Sequence, residues 1–337
     1  MSEFLFLNSI KMKRSKSLIL TSLYHLKFFD ILRRFQKNRV LILMYHRFSD
    51  KPEPFKISQQ VFENQIKFLK KRYNFISLNH YSEFLTGVRD DFPDNPIILT
   101  IDDGHWDNYT FAYPILKKYS VPAALFISTN FITNKAWLCS DILQYILGTT
   151  KFREFYFPLG DKTVQFRLDN FQDWLKSQLR IFNYCRTISE HEKDELINQL
   201  AKHLTVNLPD QTAGDFQPLT WDQVREMHDN GIEFGSHTCS HPILSTLTSE
   251  DLNHEILDSK REMETRLGVE ISSFSYPNGQ PEDINDIVIQ MTQKAGYSCA
   301  VTTMKGFNDT RNTNPFLLKR MSILTNNKTY LLREITG

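Results

Sequence analysis

The 337-residue sequence lacks a dominant charge: forty Lys and Arg stand against thirty-nine Asp and Glu, a formal net charge of +1. Such a balance carries no electrostatic footprint for a polyanion and argues against nucleic acid as a partner. The chain also lacks an apolar run long enough to span a bilayer. About 20 consecutive apolar residues are needed, and Lys16, His25 and Lys27 bound the stretch that holds Leu18 to Leu23. No small-x-small cleavage site follows that stretch, so a secretory signal peptide is not expected. Only four cysteines occur, Cys139, Cys185, Cys239 and Cys299, and none forms a CxxC pair. Their spacing suits buried thiols in a reducing compartment, and no disulfide is assigned. Internal repeats and low-complexity tracts are absent too. The length permits one large domain or two smaller ones, and 41% hydrophobic residues are enough for a sizeable core.

Charge gathers at one place. Lys11, Lys13, Arg14, Lys16, Lys27, Arg33, Arg34, Lys37 and Arg39 crowd the first forty residues against only Glu3 and Asp30. Between them lie Leu18, Ile19, Leu20, Leu23, Leu26, Phe28, Phe29, Ile31 and Leu32, which at helical spacing give an apolar face beside a basic one. Two readings follow for residues 10–38: a helix lying on anionic lipid, or a surface helix packed on the chain's own core. Residues 1–38 are therefore set apart as a basic amphipathic segment. The expected location is the cytoplasm, with peripheral contact at the inner face of the membrane.

From residue 39 onward strands and helices alternate. Val40-Leu41-Ile42-Leu43-Met44 reads as a strand buried on both faces, Gln59 to Arg72 as a helix facing inward through Phe62, Ile66 and Leu69, and Phe75 to Leu78 as a second short strand. Pro96 to Ile101 is a further buried strand, halted by Asp102-Asp103-Gly104. A helix over Asn108 to Tyr119 must accommodate Pro114, and Ala123 to Ile127 is the next strand. This rhythm predicts an α/β fold with a parallel sheet or barrel whose active groups gather where the strands end. From about 135 to 215 the pattern becomes largely helical, with a hairpin across Phe155 to Arg167 turning near Gly160-Asp161 and a capping box at Ser189 and Glu192 that starts a helix through His203. This segment is read as an insertion in one domain spanning 39–337. Strands resume at Ile232-Glu233-Phe234 and at Ser272 to Tyr276, separated by a helix from Ser249 to Leu267 that ends at Gly268.

Two stretches place metal-binding side chains just after a predicted strand: Thr100-Ile101-Asp102-Asp103-Gly104 and His237-Thr238-Cys239-Ser240-His241-Pro242. Asp-Asp-Gly alone is more often a turn, because Asp bonds its own backbone and Gly takes positive φ. Together, however, two imidazoles and a carboxylate make a catalytic ligand set for a divalent metal that leaves positions open for water and substrate. The second Asp is the useful surplus. If Asp103 is the ligand, Asp102 is near enough to take a proton from water without binding the metal.

These residues also carry a resemblance to the polysaccharide deacetylase family, carbohydrate esterase family four, defined by the NodB homology domain. Thr100 to Gly104 resembles that family's T-F-D-D-G motif, His237 to Pro242 its H-S/T-x-x-H-P motif, and Phe274-Ser275-Tyr276-Pro277-Asn278-Gly279 its F-R/A-x-P-x-G motif. The resemblance covers roughly 40–134 and 219–323. It implies a distorted (β/α)7-type barrel, Asp102 as general base, and Asp103, His237 and His241 as ligands of a divalent metal, Zn2+ before Co2+ or Ni2+. It further implies an oxyanion donor at the backbone of Asn278, with Tyr276 and Arg320 as further groups near substrate. The implied reaction is removal of acetyl groups from N-acetylated sugars of a polysaccharide or a lipid-linked glycan.

Two departures from the family pattern stand out. Ser275 occupies a position where many members carry an Arg that holds the base. The late Leu-x-His motif, whose His is the general acid, is replaced by Leu317-Leu318-Lys319-Arg320. Met44-Tyr45-His46 offers a substitute, since it resembles the M-Y-H signature of the branch acting on exopolysaccharides such as poly-N-acetylglucosamine, and His46 closes the first strand. Arg320 is a candidate to orient Asp102. Three rivals remain at this level: a sugar-binding relative without catalysis, an O-acetyl esterase, and an Fe(II) oxygenase with the same donor types. Trp106, Tyr109, Trp137 and Trp221 are read either as stacking platforms for sugar rings or as core.

Overall fold

A computed structural model describes residues 39–310 and 312–323; the basic segment 1–38 expected as an amphipathic helix lies outside the described residues. The described residues divide into two compact units, one formed by the residues up to Thr133 together with those from Pro218 onward, and one by Asn134–Gln217.

The larger unit is a barrel. Its strands are β1 (Arg39–Tyr45), β2 (Pro96–Asp103), β3 (Ala124–Ile127), β4 (Glu233–Ser236), β5 (Ser273–Ser275), β6 (Cys299–Lys305) and β7 (Leu318–Ser322). Each pairs in parallel with the next in sequence, and β7 pairs with β1 through Leu43↔Met321 and Met44↔Ser322, so the sheet closes on itself with seven strands. Closure explains the composition of the strands. A parallel strand inside a ring of helices meets apolar groups on both faces, and Val40 to Tyr45 are all within 2% of full burial. Each such side chain contributes about 1.5–3 kcal/mol relative to exposure.

The pleat sends alternate residues of a strand to the same side. On β2 the series Ile98, Thr100, Asp102 and on β7 the series Leu318, Arg320, Ser322 share one face, so polar groups replace aliphatic ones only toward the carboxyl ends. Ile42, Ile98, Phe126, Val301 and Leu318 form the apolar floor beneath them. Outside the ring, Asn308–Asp309 runs antiparallel to the start of β1, and Asn74–Phe75 pairs with β2.

Several elements differ from the sequence-based expectation. The strand expected over Phe75 to Leu78 is only Asn74–Phe75, because the Ser77 hydroxyl accepts the His80 N–H and caps a helix, Leu78–Leu85. The two long helices are each interrupted by a π-helical segment. Asn108–Ala112 precedes Tyr113–Tyr119, which lets Pro114 sit in a first helical turn where it lacks no hydrogen bond. His254–Asp258 separates Ser249–Asn253 from Ser259–Leu267, and Gly268 closes the series in the left-handed conformation.

The smaller unit has its own core. Strands Glu154–Leu159 and Lys162–Arg167 form an antiparallel hairpin that turns at Gly160-Asp161, burying Phe155, Phe157, Val164 and Phe166 on one face. Helices Cys139–Thr149, Phe171–Cys185 and Glu190–His203 cover that face with Leu143, Ile146, Ile181 and Leu200. Ser189 and Glu192 form the reciprocal capping box that starts the last of them. Among the described residues all four cysteines are free thiols, and no helix is long and apolar enough to cross a membrane.

Candidate active site

Four turns at the carboxyl ends of β1, β2, β4 and β5 converge. β2 ends in Asp102 and Asp103, and the chain then reverses through Gly104. Asp103 has φ 79° and Gly104 φ 87°. A Cβ on Gly104 would lie 2.7 Å from Ile127 Cγ2, so glycine alone fits this exit. β4 runs into His237, Thr238 and His241, the latter two at φ 69° and 63°, and β5 runs into Asn278 at φ 58°. Non-glycine residues in this region are costly and gather at functional sites.

The strained turns bring three donors together. His237 Nε2 lies 3.7 Å and His241 Nε2 3.8 Å from Asp103 Oδ1, and the three ligand atoms are all within 4.8 Å of one another. The Ser275 carbonyl can only accept, so its 2.7 Å bond to His237 Nδ1 fixes the proton there and leaves the Nε2 lone pair facing Asp103. Burial pushes His237 further toward the neutral imidazole. For Asp103 burial acts in the opposite sense and raises its pKa, but the imidazoles of His46, His241, His105 and His237 outweigh it and hold the carboxyl well below the usual range. A carboxylate and two imidazole nitrogens aimed at one point are a donor set that suits a divalent metal. These residues fit such an ion.

Asp102 is not part of that set. Its carboxylate is 1% exposed and receives both arms of one guanidinium: Arg320 Nη1 donates to Oδ1 and Nη2 to Oδ2, each at 2.7 Å. The remaining donors of Arg320 go to the Thr302 carbonyl, the Thr100 hydroxyl and the Ser275 hydroxyl, at 2.8, 3.0 and 3.1 Å. Burial alone would raise the Asp102 pKa, yet the Arg320 charge and hydrogen bonds more than offset it and hold the acid ionised. The guanidinium missing from position 275 is thus supplied from β7, and the small Ser275 leaves room for it.

His46, between β1 and the short strand Arg47–Ser49, reaches the same end of the barrel and ranks first among the charges that lower Asp103. Asn278 is part-buried, and its N–H finds no acceptor among the described residues, while its carbonyl accepts the Thr303 hydroxyl. Tyr276, expected near substrate, is fully buried beside Ser275: its ring packs edge-on against Phe274, its N–H bonds the Val301 carbonyl, and its hydroxyl is buried without a hydrogen-bond partner among the described residues.

Sequence reasoning missed the second layer. Glu255, on the π-helical segment, accepts the N–H groups of Cys239 and Ser240 at 2.9 Å and the Ser240 hydroxyl at 2.6 Å, bracing the loop between the two histidines. Its only signal was a glutamate on a helix face. The aromatic candidates are all part-buried and engaged: Tyr109 bonds Glu226, Trp221 donates to Thr133, Trp106 packs beside Phe111, and Trp137 of the smaller unit donates to the Pro209 carbonyl.

Fold and site define a class: a seven-stranded (β/α) barrel with carboxylates and imidazoles at its carboxyl rim. Residues 89–300 match the family described as polysaccharide deacetylase, and the chain belongs to that family. It is 24% identical over 267 residues to the putative polysaccharide deacetylase YxkH of Bacillus subtilis, covering 79% of this chain and 64% of that one. It is 33% identical over 115 residues to poly-beta-1,6-N-acetyl-D-glucosamine N-deacetylase of Staphylococcus aureus, covering 29% and 39%. The chain therefore spans less than two thirds of either relative. Among solved structures, the fold resembles the Streptococcus pyogenes deacetylase PplD in complex with acetate, with TM-score 0.58, 21% identity, and 88% of this chain and 98% of that one covered. It also resembles IcaB from Ammonifex degensii, with TM-score 0.56, 16% identity, and 89% and 97% covered.

Proposed function

We propose that this protein is a divalent-metal-dependent deacetylase acting on N-acetylated sugars of a polysaccharide or a lipid-linked glycan. The observation that carries the reading is the division of labour between adjacent carboxylates. Asp103 converges with His237 and His241, whereas Asp102 is withheld from them by Arg320.

When bound by Asp103, His237 and His241, an ion such as Zn2+, Co2+ or Ni2+ supplies Lewis acidity toward the acetyl carbonyl and water. Asp102 takes the proton from the attacking water. Arg320 donates to both Asp102 oxygens and the Ser275 hydroxyl also faces Oδ2 at 3.5 Å, so Oδ1 keeps the lone pair that accepts that proton. The Asn278 N–H donates to the oxyanion that forms on the acetyl oxygen. His46 delivers a proton to the departing nitrogen, and acetate and a free amino sugar result.

Supporting this substrate class, the Staphylococcus aureus relative carries poly-N-acetylglucosamine deacetylation in its name. The basic segment 10–38 supports a reaction at an anionic membrane surface, which makes a lipid-linked sugar the second substrate to try. The oxygenase reading shares the donor types but not the family. The non-catalytic reading loses its first motive, since Arg320 replaces the guanidinium absent at Ser275.

The test is acetate release from N-acetylglucosamine oligomers, a lipid-linked N-acetyl sugar and simple acetyl esters, after chelation and again after Zn2+ or Co2+ is restored. Release from the amide substrates that returns with metal is expected. Release from esters alone would assign an O-acetyl esterase, and no release from any would favour a binding module.

A further inference from the structure

His46 has no ring hydrogen bond to aim it: its Nδ1 is buried and meets no partner in the structure. The hydrogen bonds that fix His46 are therefore those to its backbone, which sets the Cα–Cβ direction from which the imidazole reaches, and that backbone is held from the side. The Asn108 amide donates to the His46 carbonyl at 2.8 Å. The Asp107 carboxylate accepts the Phe48 N–H at 3.1 Å and Arg47 Nε at 2.6 Å, and the Asn108 amide joins the two residues by donating to Asp107 Oδ1 at 2.9 Å. The residues before and after the His46–Arg47 peptide are thus fixed to one two-residue clamp, at the entry to the π-helical segment Asn108–Ala112.

The clamp is buried: Asp107 and Asn108 are both 0% exposed and Arg47 is 8% exposed. Burying an ion pair seldom improves on apolar packing as a source of stability. Fixing the geometry of a turn is the better-attested use of such a pair, and the turn held here ends β1 at the rim of the barrel. Asp107 lies four residues beyond Asp103 and outside the ligand triad.

We infer that Asp107, together with Asn108, is a positioning residue that sets the reach of His46 toward the departing nitrogen; this rests on the deacetylase reading above, in which His46 is the acid. Asp107 touches neither substrate nor metal. Its effect is confined to the step in which His46 acts.

The inference separates two kinds of leaving group. An amine must be protonated to depart, whereas para-nitrophenolate leaves unaided, so a misplaced acid slows amide cleavage and spares the ester. Full-length metal-loaded protein is compared as wild type, His46→Ala, Asp107→Ala, Asp107→Asn and the His46→Ala/Asp107→Ala double variant. Each is assayed on an N-acetylglucosamine oligomer and on para-nitrophenyl acetate, with Co2+ absorption reporting the metal site. A small displacement of a catalytic group costs about 10²-fold, so Asp107→Ala is expected to lower kcat on the amide by about that factor. KM, the Co2+ spectrum and ester turnover should change by less than about threefold. Asp107→Asn retains an acceptor for the Phe48 N–H and is expected to recover part of the loss. In the His46→Ala background, adding Asp107→Ala should cost nothing further, since residues that act as one unit are non-additive.

Equal loss on amide and ester, or a full additional loss in the double variant, would overturn the positioning role and leave Asp107 a fold residue. So would wild-type amide turnover in Asp107→Ala while His46→Ala is impaired. Wild-type amide turnover in His46→Ala is a separate outcome: it would overturn the acid assignment itself. Asp107→Asn guards against Asp107→Ala failing to fold, because it conserves shape; wild-type amide turnover there would show that the ion pair with Arg47 is dispensable and overturn the ionic part of the clamp.

Discussion

Asp102 and Asp103 are neighbours with opposite surroundings. One faces a guanidinium held by β7, the other faces imidazoles, and the chemistry follows from that difference. Asp102→Asn should keep Co2+ binding, because Asp103, His237 and His241 are untouched, while turnover falls by about 10²-fold or more. Steady-state kinetics beside cobalt absorption reads both. Arg320→Met is expected to be worse for the fold than for the metal. It leaves a buried carboxylate without its partner, an error of about 3–5 kcal/mol that urea unfolding monitored by circular dichroism would detect. The sequence made Asp102, Asp103, His237 and His241 legible because each sits in a short local motif after a predicted strand. Ser275 was legible only as a gap. The group that fills it, Arg320, is separated by 45 residues; the sequence offered it as a candidate to orient Asp102 but did not mark the strand Leu318–Ser322 that turns it inward. The burial of Tyr276 was not legible for a related reason: adjacency to Asn278 in sequence says nothing about which face a strand-end side chain takes.

At the level of elements, the site turns are braced by the two π-helical segments. Asn108–Ala112 begins beside the clamp on β1, and His254–Asp258 carries Glu255 beneath the histidine loop. Such segments are rare and often found at functional sites. In the sequence both lie inside ordinary helical patterns, so nothing marked them. Glu255→Ala should strand the N–H groups of Cys239 and Ser240 and loosen His241. Metal affinity is expected to fall about 10–100-fold, measured by competition with a chromophoric chelator, with the thermal transition lowered by about 2–4 °C for each kcal/mol lost with those bonds. Unaltered affinity would show that the loop holds its form through Thr238 and Ser236 alone, whose hydroxyls accept from His241 and Thr238. Gly104→Ala meets both a left-handed backbone and Ile127, and is expected to destabilise by about 1–3 kcal/mol while disturbing Asp103 next to it. The strand and helix rhythm of β1 to β5 was readable from apolar runs; β6 and β7 were not, since Thr302, Thr303, Lys319 and Arg320 dilute their hydrophobic pattern.

Over the whole molecule, the family match spans residues 89–300, while His46 on one side and Arg320 on the other lie outside it. The two groups that depart from the usual family pattern are therefore brought in by β1 and β7, the strands that close the barrel. Closure also buries titratable groups that are not among the site's donors, some beside it and some away from it. Burial pushes the thiols of Cys239 and Cys299 up to about 12 from an ordinary 9.0, and the phenols of Tyr45, Tyr81, Tyr276 and Tyr297 rise for the same reason. Groups with a raised folded-state pKa contribute stability that is present below the unfolded value and lost as pH climbs toward the folded one. Urea midpoints should thus be steady up to about pH 8.5 and fall between about pH 9 and 12; a flat profile across that window would mean these groups are solvated in the folded state.

The most direct measurement is acetate release from an N-acetylglucosamine oligomer by chelated, Zn2+-restored and Co2+-restored protein, run in parallel for wild type and Asp102→Asn. Wild-type release that vanishes with chelator and returns with metal, together with an Asp102→Asn variant that binds Co2+ and releases almost none, is the expected result. Metal-independent release, or equal release by the variant, would contradict it.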